Sequence, residues 1–240
     1  MAEIKTGSVD MILTDPPYYS TDLKFDQAPR LDFALWLKEC QRILKPHGVL
    51  VSFADFNLLA DLRSKSPFKS TYELIWQKTM AVGFLDANRR PLRAHEFIGV
   101  FVSGMNKATY NPQKTAGEAY VRTNNSTATS IYGASKGNYI TESEGLRHPH
   151  SIIKSSNNNN KSVHPTKKPI QLCDWLIKTY SNEGETIFDG FMGSGSTAVA
   201  CINTGRKFVG CELDPTYFDM AKQRLDNATL DLMSYAREAC

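Results

Sequence analysis

Short apolar runs and helically spaced apolar residues alternate along most of this chain. The first continuous run, Val9–Thr14, predicts a buried strand, and Val49–Phe53 predicts another. Between them, apolar side chains recur at helical spacing from Phe33 to Leu44, and Pro46-His47-Gly48 is expected to end that helix. Strands that alternate with helices in this way predict an α/β fold with a mostly parallel, doubly wound sheet.

The same alternation continues on both sides of a polar middle segment. Before that segment, a short helix is predicted around Leu58–Leu62, with strands around Tyr72–Gln77 and Glu96–Val102. After it, the predicted elements are a helix over Ile170–Tyr180, a strand at Thr186–Asp189, a helix over Thr197–Asn203, a strand at Phe208–Leu213 and a final helix that begins at Asp214-Pro215.

The middle segment, residues 103–163, is polar and only weakly periodic. It is rich in Ser, Thr, Asn and Gly, and it carries an excess of four positive charges with four tyrosines interleaved among them. One interpretation is a nucleic-acid contact surface, because basic side chains attract phosphates and aromatic rings stack on bases. The other is a solvated insertion, which the segment favours when taken alone. Either way, the chain divides into residues 1–102, an insertion at 103–163 and residues 164–240.

The composition is that of an ordinary globular protein, with 240 residues, 41% of them hydrophobic and 22% charged. No apolar run approaches the length that spans a membrane and no secretory leader is visible, so a soluble, cytoplasmic protein is expected. Five scattered cysteines without a Cys-x-x-Cys pair predict reduced thiols and no metal site. The net charge of +3 is too small to identify a nucleic-acid binder by itself.

The first candidate for chemistry is the run Asp15-Pro16-Pro17-Tyr18, which directly follows the first predicted strand. Prolines fix the backbone and donate no hydrogen bond, so their carbonyls and the Asp15 carboxylate can face a cavity as acceptors. Tyr18 adds a flat face for stacking. Such a pair of acceptors beside an aromatic ring suits a flipped-out base with an exocyclic amine. An extended turn after a buried strand explains the four residues equally well.

A second candidate lies where the strand Thr186–Asp189 meets a helix. Gly193 and Gly195 permit a tight turn there, and they leave room for a ligand to approach the backbone. Glu212, at the end of the next predicted strand, is placed to accept hydrogen bonds from ribose hydroxyls. The full Gly-x-Gly-x-x-Gly pattern and a Gly-Lys-Ser/Thr pattern are both missing. The arrangement therefore predicts an adenosine-containing cofactor without a pyrophosphate.

Three motifs together resemble the amino-group DNA methyltransferases. They are Asp15-Pro16-Pro17-Tyr18, His164-Pro165-Thr166-Lys167-Lys168-Pro169 and Phe191-Met192-Gly193-Ser194-Gly195, in that order. The catalytic motif precedes the cofactor motif, as in the circularly permuted β class of that family. The resemblance implies a Rossmann-like methyltransferase fold, S-adenosylmethionine as methyl donor and double-stranded DNA as partner. It places target recognition in the insertion at 103–163. A restriction–modification system is the expected setting, but whether the enzyme is an orphan or is paired with a restriction enzyme is left open.

The same resemblance implies a role for each motif residue. Asp15 and Pro16 would accept the N–H groups of the target amine, and Tyr18 would stack on the base. The residues expected to bind the cofactor are His164, Thr166, Lys168, Asp189, Phe191, Gly193, Ser194, Gly195, Ser196 and Glu212. The residues expected to contact DNA are Tyr19, Arg89, Arg90, Arg122 and Lys136. No metal and no membrane is expected to take part, and formation of a homodimer is left open.

Adenine is the expected target base, because relatives with Asp first in the tetrapeptide mostly act on adenine-N6. A cytosine-N4 enzyme, a catalytically inactive DNA-binding relative and an RNA base methyltransferase are the alternatives, whereas Asp15 in place of Asn weighs against protein-glutamine methyltransferases. The chain departs from the family at Gly190 and Ser196, where Pro and Thr are usual. Only eight residues precede Val9, so either an edge strand and helix are lost or the start lies upstream.

Overall fold

Among the described residues, seven strands form one central sheet, and their order across it is Lys207–Gly210, Thr186–Asp189, Val9–Thr14, Leu44–Ala54, Arg93–Val102, Ser70–Val82 and Ile152–Ser155. The computed structural model describes residues 1–20, 29–104, 107–124, 139–157 and 167–238. The sheet strands are β1 (Val9–Thr14), β2 (Leu44–Ala54), β3 (Ser70–Val82), β4 (Arg93–Val102), β9 (Ile152–Ser155), β10 (Thr186–Asp189) and β11 (Lys207–Gly210). The helices are α1 (Phe33–Ile43), α2 (Phe56–Lys65), α3 (Ile170–Tyr180), α4 (Ser196–Asn203) and α5 (Pro215–Glu238).

The sheet confirms the predicted α/β, mostly parallel fold. Strands β11, β10, β1 and β2 pair in parallel, and β9 is parallel to β3. In the described part of the sheet, β4 alone runs against the others, because it pairs antiparallel with both β2 and β3. A short connection that contains a 3-10 helix at Phe84–Asp86 joins β3 to β4, and such a link returns the chain antiparallel without a crossover helix.

Helices cover both faces of the sheet, as a doubly wound architecture requires. Apolar residues of α1 and α2 pack on one face against side chains such as Ile12 and Phe188. Apolar residues of α3 and α4 pack on the other face against side chains such as Met11 and Ile187. Neighbouring residues of one strand thus enter different cores, because successive side chains of a strand point to opposite faces. This packing on both faces holds the strands, and therefore the strand ends that carry the candidate site, in place.

Three helices begin at an aspartate whose side chain accepts backbone N–H groups. Asp32 accepts from Ala34 N at 2.9 Å before α1, and Asp55 accepts from Leu58 N at 2.8 Å before α2. Asp214 accepts from Thr216 N at 2.8 Å before α5, which confirms the predicted start of the last helix. These bonds satisfy donors that have no partner within the first helical turn.

No helix among the described residues combines the length and the apolar character that crossing a membrane requires.

The junction of α1 with β2 differs from the sequence-based expectation. The helix ends at Ile43 and β2 begins at Leu44, so the Pro46-His47-Gly48 segment lies within the strand. The register with β1 shifts between Val9 and Met11, as at a bulge. A Cβ at Gly48 would lie 3.0 Å from the Asp10 carbonyl oxygen. Glycine therefore lets β2 lie close to β1 here, which periodicity alone does not reveal.

The chain divides into two compact units, one made of Met1–Asn111 with Ser151–Cys240 and the other of Pro112–His150. The second unit holds two short antiparallel pairs, formed by β5 (Thr115–Ala116) with β8 (Leu146–Arg147) and by β6 (Tyr120–Asn124) with β7 (Tyr139–Ser143). Within it, the Arg147 guanidinium lies 4.8 Å from the centre of the Tyr120 ring. The predicted insertion boundaries at 103 and 163 stay a prediction. The compact unit is shorter, because β9 belongs to the central sheet.

Candidate active site

Three carboxylates lie at the carboxyl ends of neighbouring parallel strands. Asp15 directly follows β1, Asp189 ends β10, and Glu212 lies two residues beyond β11. Met11 pairs with Ile187 in parallel register, so the first and second candidate motifs follow adjacent parallel strands. Ligands of open α/β sheets bind outside the carboxyl ends of strands, so this edge is the candidate site.

Both oxygens of the Asp15 carboxylate already accept a hydrogen bond. The Tyr18 hydroxyl donates to Oδ1 at 2.8 Å, and the Lys168 ammonium donates to Oδ2 at 2.6 Å. Burial, followed by the negative charge of Asp15, raises the pKa of Tyr18 well above its ordinary value of 10.0. The phenol therefore stays protonated and remains a donor. Pro16, the second predicted acceptor, is buried directly after Asp15.

Lys168 also belongs to a buried chain of charges that continues to Glu96 and Lys78. Its ammonium lies 3.4 Å from Glu96 Oε2, and Lys78 donates to the other oxygen of Glu96. Burial alone would lower the pKa of Lys168, but the carboxylates of Asp15 and Glu96 outweigh burial and raise it. Burial would likewise raise the pKa of Glu96, but Lys168 and Lys78 lower it. Lys168 and Glu96 are therefore both charged at neutral pH.

Asp189 is buried where the loops after β1 and β10 meet. Its Oδ1 accepts from the Thr14 hydroxyl at 2.7 Å and from Phe191 N at 3.0 Å. Burial raises the pKa of Asp189 to about 6, although hydrogen bonds from Thr14, Thr197 and the Phe191 amide act in the opposite direction. This carboxylate joins the strand that leads to Asp15 with the loop of the predicted cofactor motif.

Glu212 holds the cofactor loop through three backbone amides. Its Oε2 accepts from Gly193 N at 2.8 Å, and its Oε1 accepts from Leu213 N and Asp214 N at 2.9 Å each. A carboxylate offers about four accepting positions, so one position on Oε2 remains available to a ribose hydroxyl. The free acceptor at this strand end therefore fits a ribose hydroxyl of the predicted cofactor.

Packing against neighbouring helices also explains which residues occupy the rest of this loop. Gly195 has φ 79°, and a Cβ there would lie 2.9 Å from the Cβ of Ala221 in α5. This glycine thus serves the turn and the approach of a helix, in addition to any ligand. Ser194 accepts from the Arg224 guanidinium at its Oγ, at 3.1 Å, and at its carbonyl oxygen. Ser196 is buried as the first residue of α4.

Two aromatic residues of the predicted site pack against α1. The Phe191 ring lies 6.1 Å from the ring of Trp36, at the boundary of the core. The Tyr19 hydroxyl accepts from Leu31 N at 2.8 Å, and the Tyr19 ring contacts Phe33 edge-on at 6.4 Å. The predicted DNA contact of Tyr19 stays a prediction. In the structure its ring and hydroxyl hold the chain just before α1.

The other predicted DNA contacts are dispersed along the chain. Arg89 and Arg90 lie in the connection between β3 and β4, where Arg90 donates to Asp86 at 2.6 Å and Arg89 lies 3.8 Å from the same carboxylate. Arg122 is exposed on β6 in the second unit. His164, Thr166 and Lys136 lie outside the described residues, so their predicted roles stay predictions.

Sequence reasoning did not select Thr14, Lys78 or Glu96, although all three contact residues of the site. A signal existed for Glu96, since it precedes the buried apolar run that ends β4. Glutamate is rarely buried without a charged partner, so a glutamate beside a buried run is expected to pair with a basic side chain. The partner Lys78 lies 18 residues earlier and across the β3–β4 pair, and nothing local in the sequence connects the two.

A separate polar cluster lies at the opposite edge of the sheet, at the amino ends of β1 and β10. Possible ligand atoms of Asp10, His47 and Glu185 lie within 4.8 Å of one another. Lys45 already donates to both oxygens of Asp10, at 2.7 and 2.9 Å, and Thr186 N donates to one of them. These donors neutralise Asp10 and join the strand ends, and the expectation that no metal takes part stays a prediction.

Comparisons with known proteins agree with this geometry. The family model described as DNA methylase, of the N6/N4 type, matches residues 9–223. The type II methyltransferase M.HpaI of Haemophilus parainfluenzae is 30% identical over 245 residues, which cover 95% of this chain and 71% of that protein. The DNA adenine methyltransferase YhdJ of Escherichia coli strain K12 is 27% identical, with 95% of this chain and 80% of that protein covered.

Solved structures show the same relationship. The M1.HpyAVI–SAM complex superposes with a TM-score of 0.61 at 26% identity, covering 91% of this chain and 90% of that one. The cytosine-N4-specific PvuII DNA methyltransferase superposes with a TM-score of 0.63 at 14% identity, over 92% of this chain and 80% of that one, which shows a shared fold. The cofactor is S-adenosylmethionine, in agreement with the free accepting position on Glu212. The chain belongs to the N6/N4 DNA methylase family.

Proposed function

We propose that this protein methylates the N6 amine of adenine at specific sites in duplex DNA, with Asp15 and Pro16 as the groups that accept the target amine. The observation that carries the proposal is the position of the Asp15 carboxylate. It lies directly after β1, beside the strand β10, and the loop after β10 is held by Glu212 from the end of β11. Donor and acceptor of a methyl group must meet within roughly 3–3.5 Å, so both binding loops must share one edge of the sheet.

The chain's own residues supply orientation and a proton acceptor. The lone pair of an exocyclic amine is delocalised into the ring, which makes the nitrogen a weak nucleophile. If Asp15 accepts one N–H and the Pro16 carbonyl accepts the other, the lone pair is directed out of the base plane. S-adenosylmethionine supplies an electrophilic methyl group. As the nitrogen formed its bond to that methyl, the bond between sulfur and the methyl would break with its electron pair left on sulfur. The nitrogen would then carry the positive charge, and Asp15 is placed to take the proton that it loses.

Tyr18 has two functions in this proposal. Its ring offers a face for the flipped base, a contact worth roughly 1–3 kcal/mol for stacked bases. Its hydroxyl holds Asp15 Oδ1 at 2.8 Å, which fixes the rotamer of the carboxylate before the base arrives. The Lys168 ammonium pairs with the carboxylate at Oδ2, and a carboxylate can accept both an N–H and a proton.

The choice of adenine rests on two indications. Relatives with Asp first in the tetrapeptide mostly act on adenine, and YhdJ, which is 27% identical to this chain, is an adenine methyltransferase. Cytosine-N4 methylation is the second candidate, because the PvuII cytosine-N4 enzyme has the same fold. The two amines fit the same pair of acceptors, so the product has to distinguish them.

The experiment is to express the chain in cells that lack DNA methylation, digest their DNA to nucleosides and measure N6-methyladenine and N4-methylcytosine by mass spectrometry. Adenine methylation alone supports the proposal, and cytosine methylation alone overturns the choice of base. The Asp15→Ala variant should give neither product while its S-adenosylmethionine dissociation constant stays within a few-fold of the wild type. Turnover by that variant would remove Asp15 from its proposed role.

For the DNA contacts, we propose that Arg89, Arg90, Arg122 and Lys136 contact phosphates and that the unit Pro112–His150 contributes target recognition. The support is the excess of four positive charges over residues 103–163 and the interleaved tyrosines. Sequencing that maps methylated positions in the expressed DNA would give the recognition sequence. Replacing exposed side chains of this unit should change the recognition sequence or lower the fraction of its sites that are methylated, while the affinity for the cofactor stays the same.

A further inference from the structure

Each oxygen of the carboxylate that must accept the target amine already accepts one hydrogen bond. Tyr18 donates to Oδ1 of Asp15, and Lys168 donates to Oδ2. A new N–H donor must therefore share an oxygen with one of them, and the bond already present weakens that oxygen as an acceptor. A protonated lysine is the stronger competitor, because a charge-assisted hydrogen bond is roughly twice as strong as a neutral one. The site therefore needs a way to loosen Lys168 from Asp15 without leaving a buried ammonium unpaired.

Glu96 has the acceptor that this step needs. Its Oε2 is buried and has no hydrogen-bond partner, and it lies 3.4 Å from the Lys168 ammonium. The other oxygen, Oε1, is held by Lys78, so the carboxylate cannot turn away. A shift of about 0.5 Å would bring Lys168 to the ordinary distance of a charge-assisted bond, about 2.7–2.9 Å.

The rings beside Lys168 restrict where its ammonium can go. The nitrogen lies 5.1 Å from the centre of the Phe53 ring and 5.5 Å from that of Tyr18. These rings attract the cation, but they offer no carboxylate to pair with it. Among the described residues, Asp15 and Glu96 are the carboxylates that pair with Lys168. Movement away from one is therefore movement toward the other.

We propose that Glu96 is a positioning residue for methyl transfer, which accepts the Lys168 ammonium on its free oxygen when the target amine binds to Asp15. Lys78 holds Glu96 in place for this exchange. No bond breaks and no proton moves in the step, since one ammonium is shared between two carboxylates. The inference rests on the proposed role of Asp15 as acceptor of the amine.

A set of four proteins tests the exchange: the wild type, Glu96→Gln, Lys168→Met and the double variant. The rate of a single turnover is measured with radiolabelled S-adenosylmethionine at saturation and amplified, unmethylated genomic DNA. Glu96→Gln should slow transfer about ten- to a hundredfold, the cost of misplacing a reacting group by about 1 Å. Its dissociation constant for S-adenosylmethionine should stay within about threefold of the wild type, because Glu96 contacts Lys168 and Lys78 rather than the Glu212 loop.

The double variant separates positioning from mere support of the fold. Without Lys168 the charged donor on Oδ2 of Asp15 is gone, so Glu96→Gln should cost little in the Lys168→Met background, and the double variant should be faster than Glu96→Gln alone. A double variant as slow as Glu96→Gln, or slower, would overturn the proposal, and so would a Glu96→Gln rate equal to that of the wild type. Methyl transfer by the Asp15→Ala variant would instead overturn the proposed function on which the inference rests.

Two further variants guard against a folding defect. Glu96→Asp keeps the charge but withdraws the carboxylate by one methylene, so it too should slow transfer with the melting temperature near that of the wild type. If Glu96→Asp transfers methyl groups at the wild-type rate, the reach of the carboxylate is irrelevant and the exchange does not occur. Glu73→Gln is the matched control, since it removes the half-exposed pair with Arg63, at 3.6 Å, from the same β3–β4 region. Its rate should be unchanged.

Discussion

The Thr14 hydroxyl donates a 2.7 Å hydrogen bond to Asp189 Oδ1, and this bond joins the carboxyl ends of β1 and β10. The next residue after Thr14 is Asp15, and the loop after Asp189 is the predicted cofactor motif. Both groups are buried, so water cannot replace the bond if it is lost. The distance between the two halves of the site therefore depends on a pair of residues 175 positions apart.

Replacing Thr14 with valine should affect both stability and cofactor binding. The substitution keeps the shape of the side chain but leaves a buried carboxylate oxygen with one donor fewer. Asp189 Oδ1 keeps the bond from Phe191 N, so the loss is that of one hydrogen bond to a charged group, and we expect the free energy of unfolding to fall by about 1.5–3 kcal/mol. Urea unfolding measures that loss, and calorimetric titration should show weaker binding of S-adenosylmethionine.

Thr179→Val is the control for this substitution. Thr179 is fully buried, and its hydroxyl donates to the Trp175 carbonyl at 2.7 Å within α3, away from the two loops. It should lower stability modestly while cofactor affinity stays unchanged. Equal losses of affinity in both variants would mean that Thr14 acts through general stability and not through the site.

The raised pKa of Asp189 predicts a pH-dependent effect of Asp189→Asn. Burial raises this pKa from 3.8 to about 6, so between those values the folded protein holds a proton that the unfolded chain has lost. The wild type therefore loses stability as pH rises through that window, whereas the asparagine variant does not titrate. Relative to the wild type, the variant should gain roughly 1–3 kcal/mol between pH 4 and pH 7.

Urea unfolding of both proteins at several pH values measures this difference, and other titrating groups cancel in the comparison. The sign of the difference distinguishes the two cases. If the stability of the variant fell relative to the wild type as pH rises, the pKa of Asp189 would be lower in the folded protein than in the unfolded chain. Asp174→Asn is a useful second probe. The pKa of Asp174 is also raised by burial, and this residue lies on α3 instead of in the loops of the site.

Local patterns predicted the strands and helices because each depends on residues close in sequence. Val9–Thr14 and Thr186–Asp189 match the observed strands β1 and β10, since uninterrupted apolar runs are typical of strands buried on both faces. The adjacency of these two strands also agrees with the chemistry that the resemblance implies, because methyl transfer needs both loops at the same end of the sheet. The start of β2 was missed because Gly48 acts through its distance from Asp10 in a neighbouring strand.

The charge chain behind Asp15 illustrates what the sequence does not reveal. The expected approach of Lys168 to the cofactor stays a prediction, and the structure adds that its ammonium lies on the Asp15 carboxylate at 2.6 Å. Its neighbours Glu96 and Lys78 come from two other strands, and their meeting depends on how β3 and β4 pair. A motif identifies the residues of a site, but the partners that set their charge are found only from the sheet.

Glu212 provides a prediction about the cofactor loop. Glu212→Ala removes one acceptor that holds the amides of Gly193, Leu213 and Asp214, together with the free position proposed for the ribose. We expect the affinity for S-adenosylmethionine to fall by about 1.5–3 kcal/mol, the size of a hydrogen bond to a charged group. Glu183→Ala is the control, because that side chain is exposed near Gly205. An unchanged dissociation constant in Glu212→Ala would exclude the ribose contact.

The connection between β3 and β4 gives a prediction in which two variants should act in opposite directions. Arg90 is largely exposed and pairs with Asp86, so the carboxylate partly neutralises a positive charge that could meet a phosphate. Arg90→Ala should weaken DNA binding and reduce the slope of log affinity against log salt by about 0.9, the value for one phosphate contact. Asp86→Asn should strengthen binding, since it frees Arg89 and Arg90 from a shared partner. Fluorescence anisotropy with a labelled duplex over a range of salt concentrations measures both effects. Loss of affinity in both variants, or no change in the slope with Arg90→Ala, would mean that this connection does not contact the phosphates.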